Sequence, residues 1–244
     1  MRGLRQADFP RVWDECDERH DIDRALVLLR HGLPEWSWAA LAGLSIGRRD
    51  AFLLQLRKAT FGGRIQFAVL CPRCGEKLED EAKVEELLLI DPSTEPPERF
   101  RRSADGWELE YRLLTSHDLA KVVSLPDPAA ARELARRCLL SARRGGQEIA
   151  FEALDATALA ALAAGVAADD PQAELEFGML CPACRHQWAV TFDIAVFLWQ
   201  EVVARAKLIL RDVHELALRY GWSEREILEL SPARRAYYLE KLGE

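Results

Sequence analysis

The sequence lacks most of the features that mark a membrane protein, a secreted protein or a common enzyme. No apolar run approaches the roughly 18 residues that a bilayer-spanning helix needs, so we expect no membrane partner. The residues after Met1 form no apolar signal segment, which favours a reducing, cytoplasmic location. There is no Gly-Lys-Ser/Thr phosphate loop and no His-Glu-x-x-His helix, and the five histidines are scattered. We therefore expect neither enzymatic activity nor a small-molecule substrate.

An excess of basic charge is also missing. The 33 Lys and Arg are outnumbered by 40 Asp and Glu, and the net charge is −7. Nucleic-acid binding depends on Lys and Arg that neutralise phosphates, so this balance predicts no nucleic-acid partner. Arg48, Arg49, Arg57 and Lys58 cluster at helical spacing, and we interpret them as a solvated helix face.

Cysteine is scarce as well, but four of the six cysteines form two Cys-Pro-x-Cys pairs, Cys71-Pro72-Arg73-Cys74 and Cys181-Pro182-Ala183-Cys184. Two such pairs supply the four tetrahedral sulfur ligands that zinc prefers, with no position left for water. The pairs are separated by 181 − 74 − 1 = 106 residues, so a shared metal would close a loop of domain size. The pattern predicts one structural zinc ion bound by Cys71, Cys74, Cys181 and Cys184.

Two disulfides or a redox pair are the alternatives to zinc. A reducing compartment argues against disulfides. A redox Cys-x-x-Cys opens a helix, whereas each pair here stands between two strand-like segments. His186 could replace a thiolate ligand, but we expect it to be a surface residue. Cys16 and Cys138 lie on helical segments and are interpreted as ordinary buried thiols.

The segment around each cysteine pair is repeated. A shift of 110 positions aligns Ile65–Leu70 with Leu175–Leu180, each directly before a Cys-Pro. Helical segments precede both, at Ile46–Thr60 and Ala153–Ala168. These similarities predict a pseudo-duplicated unit of helix, strand, knuckle and strand, although two chance knuckles on a common strand pattern remain the alternative.

The remaining patterns complete an α+β fold, with a mainly helical scaffold, two pseudo-duplicated β-hairpins that meet at a zinc ribbon, and a long C-terminal helix. That helix begins near Ile194 and ends at Tyr220-Gly221. A further hairpin is predicted around Ala104-Asp105-Gly106, followed by a helix from Pro128 to about Ser141. The predicted regions, within one compact domain overall, are 1–63 (N-terminal helices), 64–90 (first zinc hairpin), 91–170 (hairpin and helical insert), 171–194 (second zinc hairpin) and 195–244 (C-terminal helices).

Several segments in this order resemble one family. They are Leu44-Ser45-Ile46-Gly47-Arg48-Arg49-Asp50, Ala59-Thr60-Phe61-Gly62, both cysteine pairs, Phe192-Asp193-Ile194-Ala195-Val196-Phe197-Leu198-Trp199 and Tyr220-Gly221-Trp222-Ser223-Glu224. The chain is similar to the baseplate hub assembly chaperones of T-even-type phages, a family also found in phage-tail-like contractile injection systems. The resemblance implies a non-enzymatic cytoplasmic factor that helps hub and spike join the baseplate, with hub, spike or other tail components as partners, whether or not it stays in the finished particle. Arg185 departs from the pattern, because a positive φ at this position would favour glycine, the residue that stands there in the first knuckle as Gly75.

Two functions are therefore weighed. In the first, an assembly chaperone or structural adaptor offers its C-terminal helices to a partner through Trp199, Trp222, Tyr237 and Tyr238. The same aromatics could instead only pack the helices on each other. In the second, the chain is a zinc-ribbon module that binds nucleic acid or is associated with transcription, which the motif alone favours and the charge opposes.

Overall fold

A computed structural model describes residues 1–242. Its eleven α-helices and eight β-strands confirm the predicted α+β class. The helices are α1 (Asp8–Cys16), α2 (Asp21–Gly32), α3 (Trp38–Ala42), α4 (Ile46–Phe61), α5 (Val84–Leu87), α6 (Ser116–Ala120), α7 (Asp127–Cys138), α8 (Ala156–Asp169), α9 (Ile194–Tyr220), α10 (Glu224–Glu229) and α11 (Pro232–Glu240). The strands are β1 (Arg64–Leu70), β2 (Lys77–Lys83), β3 (Phe100–Ala104), β4 (Trp107–Tyr111), β5 (Leu139–Arg144), β6 (Gln147–Glu148), β7 (Leu175–Leu180) and β8 (Gln187–Phe192).

The long helix α9 is the axis of the larger core. The Asp193 side chain begins it by accepting the N–H groups of Ala195 and Val196, and Gly221 ends it at φ 70°. Its buried stripe packs with apolar residues of α1, α2 and α4, and the first strand of each cysteine hairpin contributes a residue to the same cluster. Among the helices described within residues 1–242, none combines the length and apolarity needed to cross a membrane.

A second core lies under the sheet β3-β4-β5-β6. Trp107, Leu109 and Tyr111 of β4 are buried against α8, as their alternation with charged residues predicts. The predicted helix from Pro128 to Ser141 is wrong at its end, because it stops at Cys138 and the next residues form β5. Pairing of β5 with β4 places Ala142 opposite Leu109 in the core. That long-range pairing outweighs the local helical preference.

The basic cluster on α4 is not a solvated face, contrary to the sequence-based interpretation. Arg57 is buried and donates to both carboxylate oxygens of Glu201, at 2.8 and 3.0 Å. It also donates to the carbonyl oxygens of Gly62, at 2.7 Å, and of Arg64. Arg49 is buried as well and pairs with Asp50 at 2.7 Å. Arg57 therefore ties α4 to the start of β1 and to α9, and the charge of buried Arg49 is compensated by its neighbour Asp50.

Candidate metal centre

The two cysteine hairpins have the same knuckle geometry. In each, the backbone N–H of the first cysteine donates to the carbonyl five residues later, and the N–H four residues later donates back to that cysteine. The bonds are Cys71 N to Glu76 O (2.8 Å), Gly75 N to Cys71 O (2.9 Å), Cys181 N to His186 O (2.9 Å) and Arg185 N to Cys181 O (3.0 Å). The repeat seen in the sequence therefore extends to individual backbone hydrogen bonds.

The knuckles bring the four cysteine sulfurs together. All four Sγ atoms lie within 4.8 Å of one another, and the pairs Cys71–Cys184 and Cys74–Cys181 are 3.6 Å apart. A tetrahedral ion with metal–sulfur bonds of about 2.3 Å would place its ligands about 3.8 Å apart. Cys71 and Cys181 are buried, Cys184 is half-buried and Cys74 is exposed. The group matches the size and donor set of a four-sulfur metal site.

The surroundings shift the pKa values of Cys71 and Cys74 in opposite directions. Burial opposes ionisation of Cys71, but N–H donors from Cys74 and Arg73 outweigh it and lower the pKa of Cys71 to about 7. The backbone N–H of Glu76 favours a Cys74 thiolate, yet hydrogen bonds with Cys184 and the other cysteine sulfurs raise the pKa of Cys74 to about 12. Backbone N–H groups thus favour the thiolate of Cys71, whereas the neighbouring sulfurs oppose ionisation of Cys74.

One stacked pair of aromatic rings joins the two hairpins. The Phe67 ring of β1 stacks on the Phe177 ring of β7, with centroids 4.9 Å apart, and Phe177 meets Phe192 of β8 at 5.5 Å. Each hairpin is its own two-stranded sheet, β1 with β2 and β7 with β8. Within the described chain, side chains rather than a shared strand ladder therefore hold the hairpins together.

Two buried polar residues near the end of α8 also join the two halves. The carboxylate of Asp170 accepts the N–H of Gly47 at 3.0 Å, and Gln172 bonds to the backbone of Leu87 and Leu89 at 3.0 and 2.8 Å. Burial raises the pKa of Asp170 to about 6, although the Gly47 N–H favours its ionised form. The sequence reasoning missed both residues, because nothing in the local pattern distinguishes them from loop residues.

One segment has the letters of a serine-nucleophile turn, Gly43-Leu44-Ser45-Ile46-Gly47. Such a turn follows a strand, whereas this one follows α3. The Ser45 hydroxyl accepts the N–H of Arg48 at 3.3 Å and bonds to Asp170. Ser45 is buried and serves as the N-cap of α4.

Arg185 and His186 directly follow the second cysteine pair. His186 is half-buried, and its ring stacks on Trp188 at 5.8 Å, outside the group of four sulfurs. Arg185 has φ 59°, close to the φ of 76° at Gly75. An arginine thus adopts the left-handed conformation that glycine takes in the first knuckle.

Three of the four predicted partner-binding aromatics lie together. Trp222 contacts Tyr238 at 4.9 Å and Tyr220 at 4.7 Å, and Tyr237 meets Tyr238 at 5.7 Å. Trp222 and Tyr238 are half-buried, whereas Tyr237 is 57% exposed. Trp199 contacts Arg24 of α2 at 5.1 Å, far along α9 from the others. The C-terminal group therefore consists of Tyr220, Trp222, Tyr237 and Tyr238.

Comparison with known proteins gives one family. A family model described as T4 bacteriophage base plate protein matches residues 36–199, that is 199 − 36 + 1 = 164 of the 244 residues. The match spans both cysteine pairs and ends inside α9, so the C-terminal aromatic group lies beyond it. No curated protein and no solved structure matches the chain.

Proposed function

The chain belongs to the T4 bacteriophage base plate protein family, and from this premise we propose that it is a non-enzymatic assembly chaperone or structural adaptor. Its partners are the hub, the spike or other components of the baseplate of a contractile, phage-tail-like injection system. The family match over both cysteine hairpins carries this proposal. Such a protein acts in the cytoplasm during assembly, or as part of the particle.

The four sulfurs, in this proposal, bind one structural zinc ion. The support is the mutual spacing of the four sulfurs and the preference of zinc for four such ligands. Four sulfur ligands leave no coordination position for water or substrate, so the ion holds the two hairpins together and performs no chemistry. Elemental analysis of the freshly purified chain should find one zinc per chain, and a value near zero would contradict the metal assignment alone.

We propose that the partner surface lies on the C-terminal helices. Trp222 and Tyr238 mainly pack α10 and α11 on the end of α9, because both are half-buried, and Trp222 contacts two other rings and Tyr238 three. Tyr237 is 57% exposed and Leu218 is 73% exposed, so both can lose water-accessible area when a partner binds. Tyr237 is therefore the first residue to test.

Co-expression with tagged hub and spike proteins tests the function. We expect the wild-type chain to co-purify with them, Tyr237→Ala to reduce the recovery, and Leu140→Ala, an exposed leucine on β5, to leave it unchanged. Failure to bind any tail component would contradict the proposal. Salt-sensitive retention of DNA or RNA would instead support the zinc-ribbon nucleic-acid module.

A further inference from the structure

The two cysteine hairpins differ in their second strands, β2 and β8. Each of these strands pairs on one side only, β2 with β1 and β8 with β7. Within residues 1–242, neither strand has a backbone ladder on its other edge. Within these residues, the β8 edge therefore presents unpaired N–H and C=O groups, whereas on β2 the N–H groups of Glu81 and Lys83 donate to the carboxylates of Asp80 and Glu86.

The side chains along these two edges differ sharply. In an antiparallel hairpin, alternate residues direct their backbone groups away from the partner strand. The Cys71–Glu76 and Cys181–His186 backbone bonds set which residues these are. All of them are exposed, and they are Lys77, Glu79, Glu81 and Lys83 on β2, and Gln187, Ala189, Thr191 and, just after the strand, Asp193 on the second hairpin.

Charged side chains on an edge strand prevent it from pairing with another strand. The edge of β2 has four of them, and two form the ion pair Lys77–Glu79 at 2.7 Å. The edge of β8 has no charge between Arg185 and Asp193. One half of the repeat is thus protected against strand pairing and the other is open to it.

We propose that β8 pairs antiparallel with β8 of a second copy of this chain, about a twofold axis at Ala189. The β7-β8 hairpins of the two copies then form one four-stranded sheet. In this register, Gln187 lies opposite Thr191 of the second copy, and Trp188 lies opposite Val190. Aromatic and β-branched side chains are a favourable cross-strand pair.

Charge complementarity indicates that the strand that pairs with β8 belongs to a second copy of this chain. The same register puts Arg185 opposite Asp193 of the second copy, and twofold symmetry makes this pair twice. Arg185 forms no ion pair within residues 1–242, and Asp193 caps α9 through Oδ1 alone, which leaves Oδ2 to accept. A left-handed φ disfavours arginine by roughly 1 kcal/mol relative to glycine, so its presence at Arg185 is consistent with a role for its charge.

The equivalent arrangement on β2 is unfavourable. The position equivalent to Ala189 is Glu79, and a twofold axis there would place two glutamates opposite each other. The inference therefore applies to β8 and not to β2. It goes beyond the proposed function, because it does not depend on any hub or spike component.

Sedimentation velocity of the metal-loaded full chain tests the dimer. We expect a reversible, concentration-dependent species of twice the 27.6 kDa chain mass. Ala189→Glu, which gives β8 the charge found on β2, should weaken association at least tenfold, since two like charges would meet at the axis. Ala183→Glu adds the same charge on the exposed knuckle tip and should leave association unchanged.

Two further measurements distinguish a loss of association from a loss of folding. Arg185→Gly should weaken association while leaving the monomer folded and metal-bound. Hydrogen exchange should slow in β8, but not in β2, as the protein concentration rises. A wild-type chain that stays monomeric at all concentrations would overturn the proposal, even if its β8 edge bound a strand of another protein. A dimer that Ala189→Glu leaves intact would overturn it as well.

Discussion

The two cysteine hairpins share their knuckles and differ in how the rest of the chain holds them. The first hairpin is far from α9 in the sequence, and Arg57 connects the two. Its guanidinium donates to the carbonyl of Arg64 and to the carboxylate of Glu201. The second runs directly into α9, whose N-terminus is capped by Asp193. Their second strands also differ, because β2 is rich in charged residues and β8 has none. The two hairpins thus have the same knuckle hydrogen bonds but different attachments to the rest of the chain.

The shared part resides mainly in the backbone. Both knuckles use the same two N–H donors to position a buried cysteine, and these bonds require no particular side chain. The knuckles differ at their fifth residue, which is Gly75 in the first and Arg185 in the second. Both have a positive φ, which glycine adopts more readily than arginine. Substitutions that act equally or unequally on the two hairpins can therefore separate what they share from what they do not.

The largest expected effect is loss of a ligand, and it should be the same in both hairpins. Cys71→Ser and Cys181→Ser should each abolish metal binding and lower the free energy of unfolding by about 4 kcal/mol, because the metal closes a loop of about 100 residues. Metal content and urea denaturation measure this. Cys138→Ala, at a buried thiol outside the group, should retain the metal. If one ligand variant kept the metal, the two halves would not form one site.

The next effect should be confined to the first hairpin. Glu201→Gln removes the charged partner of buried Arg57 and should lower the free energy of unfolding by about 3 kcal/mol. Hydrogen exchange should accelerate in β1 more than in β7, since Arg57 also holds the start of β1. Glu215→Gln, at an exposed position of the same helix, is the control. Equal acceleration in β1 and β7 would contradict the difference in anchoring.

A pH effect of intermediate size should arise at the base of the second hairpin. The pKa of Asp170 is raised from 3.8 to about 6, so its favourable contribution to stability is complete below pH 3.8 and is lost as the pH rises through about 6. Asp170→Asn should therefore flatten the dependence of unfolding free energy on pH in this window, by on the order of 2 kcal/mol. Urea denaturation at several pH values measures the slope. The exposed neighbour variant Glu174→Gln should follow the wild type, and an unchanged slope in Asp170→Asn would refute the assignment.

The smallest effects should have opposite signs at the fifth knuckle position. Gly75→Ala should destabilise the chain by about 1 kcal/mol, because φ 76° is unfavourable for a residue with a Cβ. Arg185→Gly should stabilise the monomer by up to about 1 kcal/mol for the same reason. Thermal unfolding of metal-loaded monomer compares the two. Destabilisation by Arg185→Gly would show that the arginine side chain stabilises its own hairpin.

Local patterns sufficed for the elements whose signals lie within a few residues. Strand β1, the knuckles, the Ser45 cap and the start of α9 all stand where the sequence predicts them. The prediction failed at β5, which only its pairing with β4 makes a strand, and at Arg49 and Arg57, whose charges are compensated inside the fold. The surface around Tyr237 remains a prediction for partner binding.

The sequence by itself determined the four candidate ligands, the repeat at 110 residues and the family, because each depends on residue identity and spacing along the chain. Only the tertiary structure decided that the sulfurs of the two pairs meet within 4.8 Å, that Asp170 and Gln172 join the halves, and that, within residues 1–242, neither β2 nor β8 has a second partner strand. These features depend on distances between residues far apart in the chain. Such distances are set by packing and by compensation of buried charge, which no local pattern records.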